Sequence, residues 1–268
     1  MKAYFTTFLK YKYLLHNLIS RDLKVKYRRS TLGLLWSVLN PLLMAIVISI
    51  VFQNFFKFAV PNFTVYYLTG SLIFNFMNEA TSSAMVSIVG NAPLIKKVYI
   101  PKYIFPLEKV MFAFVNMLFS MIALVIMMGV TKLGIIGSAA DLNISWTIVL
   151  FFIPMLYTLV FSLGLGLILA AVNVYFRDVG HLYSVWTMAW MYLTPIIYPM
   201  DIVEGTWVMN VIRLNPMYYF VTYFRDVVTN GTVPGLKTNL LCMGISLLFL
   251  VLGLWVFKKK QDRFILFI

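Results

Sequence analysis

The sequence predicts an all-α integral membrane protein. It would have six transmembrane helices, an N-terminal amphipathic interface helix, and two short re-entrant outer helices between spans five and six. Three observations carry this. The chain is 62% hydrophobic and 12% charged, against roughly 45–50% and 25% in soluble domains, an excess that a soluble core cannot bury. Apolar runs of about 20 residues, the length that crosses a bilayer, recur along it. Lys and Arg are distributed unevenly among the segments between those runs. The net charge of +13 surrounds no polar globular module, so it belongs to membrane topology and not to nucleic-acid binding.

Residues 1–33 form the first unit, a cytoplasmic amphipathic interface helix with a basic flank. Tyr4, Phe8, Tyr11, Leu15 and Leu18 recur at alternating spacings of four and three, with Lys2, Lys10, His16 and Asn17 turned away. Such a helix lies in the membrane interface, as a plain anchor or as a surface for a partner. The flank is a basic ladder of Arg21, Lys24, Lys26, Arg28 and Arg29. It holds the first span with its N-terminal end inside and sits among anionic headgroups. No short apolar region ending in a small-residue cleavage site is present, so no removable signal peptide is expected.

Residues 34–268 form the second unit, with spans over 34–56, 65–89, 104–130, 146–173, 182–198 and 239–257. Lys96, Lys97 and Lys102 follow span two, Arg177 follows span four, and Lys258, Lys259, Lys260 and Arg263 follow span six. The other side carries Lys57, Lys132, Arg213, Arg225 and Lys237. Both termini are therefore expected in the cytoplasm.

Within span two, Asn75, Asn78, Glu79 and Ser82 share a helical face. Burying a charge at membrane depth costs at least about 2.5–3.5 kcal/mol, so this face points to protein or water. It either hydrogen-bonds between helices, with Glu79 protonated, or lines a pathway. Between spans two and three, "NAPLIKKVYIPKYIFP" is bracketed by prolines. Its Leu94, Ile95, Val98 and Tyr99 form an i, i+1, i+4, i+5 stripe beside Lys96 and Lys97. About two helical turns fit between Pro93 and Pro101. An amphipathic piece of this kind suits a groove on a partner, or folds back on the protein or the headgroups. Arg177 and Asp178 after span four form a local ion pair or meet a cytoplasmic partner. Gly164 and Gly166 in span four form a small-residue stripe for close helix packing.

After span five, four prolines and three glycines interrupt residues 195–235, leaving apolar patches over 207–214 and 217–228. Irregular backbone at membrane depth survives only where protein or water satisfies it, so residues of about 199–235 are read as a re-entrant segment on the outer face. Tyr192, Tyr198, Trp207, Tyr218, Tyr219 and Tyr223 crowd it. Most are an interfacial belt; others line the exit of a pathway and stack on sugar rings.

Cofactor chemistry leaves no signature. There is no G-x-x-x-x-G-K-[ST] and no G-x-S-x-G, and His16 and His181 lack ligand spacing. The single Cys242 excludes an intramolecular disulfide.

Four motifs in order give the chain a family likeness: "RDLKVKYRRSTLGLLWSVLNPLL", "LIKKVYIPKYIFPLEKV", "VYFRDVGHLY" and "LNPMYYFVTYFRDVV". Over nearly its whole length the chain resembles the permease subunits of type-2 ABC exporters for O-antigen, capsular polysaccharide and teichoic acid. The resemblance implies a homodimeric pore in a bacterial inner membrane, moving a lipid-linked glycan. It implies two copies of a separate P-loop ATPase carrying ATP and Mg, with no cofactor and no enzyme activity on this chain. Residues 4–29 and 91–102 would rest on that ATPase, with Leu94, Ile95, Lys97, Val98, Tyr99, Arg177 and Asp178 as coupling residues. Glu79, Asn75, Asn78, Tyr192, Tyr198, Trp207, Tyr218 and Tyr219 are the pathway candidates. Two other readings compete: a permease of the same fold for a drug or lipid, and an intramembrane glycolipid enzyme. The enzyme would need converging acids or a metal site.

Overall fold

The computed structural model describes residues 2–28, 30–54, 60, 62–135 and 142–268, and the side chains among them except those of residues 2–10, 27, 53 and 54. No strand occurs among the described residues. The α-helices are α1 (Lys2–Tyr27), α2 (Trp36–Asn54), α3 (Phe63–Gly90), α4 (Ala92–Lys97), α5 (Ile104–Lys132), α6 (Phe152–Tyr175), α7 (Val179–Tyr192), α8 (Trp207–Arg213), α9 (Pro216–Val228) and α10 (Leu236–Lys260). Of the expected features, the side chains of Tyr4, Phe8, Lys2 and Lys10, together with Arg29, Lys57 and the last residues of span one, lie outside the described ones.

Four segments are long and apolar enough to cross a membrane: Gly33–Phe52, Ile104–Lys132, Trp146–Tyr175 and Leu236–Leu266. The other two expected spans differ in instructive ways. α3 has 28 residues, about 42 Å of helix, but it carries the polar face noted above. α7 is apolar but has 14 residues, about 21 Å against roughly 30 Å of hydrocarbon. The sequence expectation ran span five to residue 198, whereas the helix ends at Tyr192. Pro195 disfavours helical backbone at Thr194, and the chain turns instead. The fourth expected span opens with a 3-10 turn, Trp146–Phe151, before α6 begins.

α3 is the hub. It packs on α2, α5, α6, α7 and α9, and Leu68, Ile73, Met77, Ala80 and Ala84 are fully enclosed. α6 and α10 make the tightest pair. The Gly164 backbone of α6 lies against the Gly253 and Phe249 backbone of α10, and a Cβ on either glycine would collide with main chain. Gly166 sits against Ala84 of α3, where an added Cβ would come within 2.9 Å of the Ala84 Cβ. The small-residue stripe thus lets three helix backbones approach.

A second apolar cluster closes one end of the bundle. It joins Leu18 of α1, Ile95 of α4, Phe105 of α5, Val174 of α6, Phe257 of α10 and Phe264 of the C-terminal turn. Tyr11, Leu14 and Leu15 pack onto it. The described part of the amphipathic face of α1 is therefore seated on the protein itself. Elements near both chain ends meet at this one end.

Candidate functional site

A cavity of about 920 Å³ opens between α2, α3, α5 and the end of α1. Its wall is built from one polar face of each helix. α3 contributes Asn75, Asn78, Glu79 and Ser82, the face read from the sequence. α5 adds Asn116 and Ser120, i and i+4 on the next helix. α2 adds Ser37 and Asn40, and α1 adds Lys26. Trp36, Tyr67 and Tyr192 supply aromatic surface, with Met44, Ile48, Leu72 and Met117 between.

The polar groups are connected, not scattered. Lys26 Nζ donates to Glu79 Oε1 at 2.8 Å. Asn116 Nδ2 donates to the other carboxylate oxygen at 2.8 Å. That orientation turns Asn116 Oδ1 toward α2, where it accepts from Ser37 Oγ at 2.9 Å. Pro41 in α2 has no N–H to offer the Ser37 carbonyl, and Ser120 Oγ donates to that carbonyl instead, at 3.0 Å. Ser82 Oγ donates to Asn78 Oδ1 at 3.1 Å. Glu79 is thus an ion-paired acceptor of two hydrogen bonds, which offsets its cost at membrane depth.

This revises the reading of one residue of the basic ladder, Lys26. Arg21, Lys24 and Lys26 are not a flank beyond the interface helix; α1 runs unbroken to Tyr27. Lys26 reaches Glu79, about 16 Å along α3 from its Gly90 end, instead of the headgroups. One turn earlier, Asp22 pairs with Lys109 of α5 and with neighbouring Arg21 at 2.9 Å. Burial alone would raise the Asp22 carboxyl, but the hydrogen bonds and charges of Lys109 and Arg21 outweigh it and hold the group below the usual aspartate value.

The coupling candidates divide. α4 spans Ala92–Lys97 with Pro93 in its first turn and Lys96 and Lys97 in its last, each favourable there. Val98 is extended, at φ −134° and ψ 136°, so Val98 and Tyr99 leave the helix and the expected i, i+1, i+4, i+5 stripe does not form. Ile95 is buried and Leu94 packs on the same cluster, whereas Val98 and Tyr99 are 52% and 90% exposed. The Tyr11 hydroxyl donates to the Tyr99 carbonyl at 3.4 Å, joining α1 to this loop. Lys97, Arg177 and Asp178 are exposed. Asp178 accepts the His181 and Leu182 amides through its carbonyl, and no ion pair joins it to Arg177 among the described residues. Since Ile95 and Val174 share one cluster, the exposed ends of both loops lie at the same end of the bundle.

Of the pathway candidates, Glu79, Asn75, Asn78 and Tyr192 line the cavity, and Tyr198, Trp207, Tyr218 and Tyr219 do not. Trp207 is exposed, Tyr219 donates to the Arg213 carbonyl at 2.8 Å, and Tyr218 packs edge-on against Tyr219. Tyr198 donates to the Tyr192 carbonyl at 2.9 Å and so braces the cavity from behind. Asn116, Ser120 and Ser37 were missed, although Asn116 and Ser120 show the i, i+4 polar spacing that marked α3.

The outer helices are fixed by two groups that sequence reasoning passed over. Asn215 caps α9 by accepting from the Met217 amide at 2.9 Å; it also accepts from Trp190 Nε1 at 2.6 Å and donates to the Leu193 carbonyl at 3.1 Å. Arg225, placed among the outer loop charges by composition, is in fact 7% exposed. Its guanidinium stacks 3.7 Å from the Tyr66 ring and donates to the Pro195 carbonyl at 2.7 Å, the Tyr66 carbonyl at 3.1 Å and Thr69 Oγ1 at 3.3 Å.

A helical bundle with four candidate membrane spans and a polar cavity is an architecture that suits transport. Residues 13–229 match the family described as ABC-2 type transporter, and the chain belongs to that family. It is 31% identical over 247 residues, 91% of each chain, to "O-antigen export system permease protein RfbA" of Klebsiella pneumoniae. It is 28% identical over 256 residues, 95% of each chain, to the protein of the same name in Myxococcus xanthus. Similarity extends to "Capsule polysaccharide export inner-membrane protein CtrC" of Neisseria meningitidis serogroup A, at 26% over 253 residues, 90% of this chain and 89% of the other.

Proposed function

We propose that this chain is the transmembrane subunit of an ATP-driven exporter that moves a lipid-linked cell-surface polysaccharide across a bacterial inner membrane. The observation that carries the reading is the cavity. Amides and hydroxyls of Asn75, Asn78, Ser82 and Asn116 with the faces of Trp36, Tyr67 and Tyr192 offer what a sugar needs, polar donors and acceptors beside aromatic planes. The family and the printed names of its relatives point to the same cargo class.

In this reading α2, α3, α5, α6, α7 with its following turn, and α10 cross the membrane. α3 tolerates its polar face because α2, α5 and α6 surround it. α8 and α9 form the re-entrant outer pair. An even number of crossings leaves both termini on one side, and the Lys/Arg excess puts that side in the cytoplasm. Two copies of the chain would close their cavities into one channel. Two copies of a P-loop ATPase, holding ATP and Mg, would dock on the end where Val98, Tyr99, Arg177 and Asp178 are exposed. Purification from native membranes tests this. The chain should bring down a second subunit with ATPase activity, and alone it should hydrolyse no ATP. Hydrolysis by the isolated chain would contradict the assignment.

A further inference from the structure

Asp22 and Lys26 lie one turn apart on α1 and carry opposite charges. They meet Lys109 of α5 and Glu79 of α3, which also carry opposite charges, in complementary order. A slide of α1 by one turn in one direction would set Lys26 against Lys109. A slide in the other would set Asp22 against Glu79. In the first case Lys26 would also meet Glu108, which lies 3.4 Å from Lys109 and offsets part of the repulsion. In the second the two carboxylates face each other, so the contact favours the observed register. The apolar part of the seat does not do this by itself, because Leu14, Leu15 and Leu18 could find similar packing after a shift.

From Lys26 the contact continues into the cavity. Lys26 holds Glu79, Glu79 orients the Asn116 amide, and Asn116 receives Ser37. One chain of hydrogen bonds thus passes through α1, α3, α5 and α2, four of the elements that bound the cavity. The Lys26 ammonium also lies 5.4 Å from the centre of the Phe112 ring of α5. About four turns nearer its N-terminus, α1 touches the loop after α4 through Tyr11 and Tyr99.

We propose that Asp22 and Lys26 are positioning residues: they lock α1 to the cavity wall in one register, so that displacement of α1 is transmitted to Glu79 and Asn116 and is not lost by sliding. The inference goes beyond the cargo assignment and holds for any substrate.

The test uses charge reversal in the full chain, in its own membrane, with its native partners. Lys26→Glu and Glu79→Lys are made singly and together, and so are Asp22→Lys and Lys109→Asp. Register is read by a short bis-maleimide bridging Tyr11→Cys and Tyr99→Cys in a Cys242→Ala background. Transport is read as surface polysaccharide. Each single reversal should lower crosslinking and cut export about tenfold or more, as facing like charges do at a specified contact, and each paired reversal should restore both. Should Lys26→Glu fail to insert, Lys26→Gln and Glu79→Gln carry the same comparison with smaller losses. Unchanged crosslinking in the single variants, or paired variants as impaired as the singles, would overturn the proposal. Crosslinking that falls and recovers in cells whose surface polysaccharide never depended on the chain would uphold the lock and refute the cargo.

Discussion

Arg225 donates its hydrogen bonds to two carbonyls and a hydroxyl, and stacks on a tyrosine. A planar fork can do all of this at once and an ammonium cannot. Arg225→Lys should therefore leave the Pro195 or Tyr66 carbonyl unpaired and cost about 2 kcal/mol or more, seen as a lower unfolding temperature of the purified protein in detergent. Gly70→Ala should act on the same clamp, because its Cβ would come within 2.7 Å of Arg225 Nη2. An unchanged unfolding temperature in both variants would show that the clamp is not what holds α9 to α3. The sequence marked Arg225 only as a charge on the outer side, since its partners come from residues far away in the chain. Glu79 was legible as an acid inside a helix, but its partner Lys26 was assigned to the lipid surface. Periodicity tells which face a residue occupies; it does not tell which other helix covers that face.

Helix existence was readable from apolar run length: α2, α3, α5 and α10 begin and end close to the expected bounds, and α6 starts late because the 3-10 turn Trp146–Phe151 precedes it. The errors lie where backbone geometry overrides pattern, at Val98 and at the turn after Tyr192. α4 now makes a divided prediction. Ile95 is buried in the cluster that closes the bundle, so Ile95→Asp should destabilise the protein by several kcal/mol and reduce the amount recovered from membranes. Val98 and Tyr99 are exposed, so Val98→Asp and Tyr99→Asp should preserve that amount and instead weaken retention of the ATPase on co-purification. Equal retention by all three variants would remove this loop from the coupling surface. The α6–α10 pair carries its own test. Gly164→Leu would drive a side chain into the α10 backbone and should cost more than the roughly 1–3 kcal/mol of ordinary overpacking. Gly244→Ala in α10 meets nothing within 4 Å and should be neutral or slightly stabilising. Comparable yields of folded protein from the two variants would refute close glycine packing.

The whole molecule gathers α1, α4 and the C-terminal turn at one end and sets α9 against α3, with a polar cavity between α2, α3 and α5. Composition was sufficient for the membrane class. It could not supply the cavity, because α1, α2 and α5 each give it only one or two polar residues that look unremarkable one helix at a time. If the termini are cytoplasmic, Lys2→Cys and Gln261→Cys should both resist a membrane-impermeant thiol reagent in intact cells and react after permeabilisation; labelling of either in intact cells would reverse the topology. The central claim, that this chain is the membrane conduit of a polysaccharide exporter, is tested most directly by removing it. In cells lacking the chain, surface polysaccharide should disappear while the lipid-linked glycan accumulates inside, and the wild-type chain should restore export. Unchanged surface polysaccharide in those cells would contradict the account.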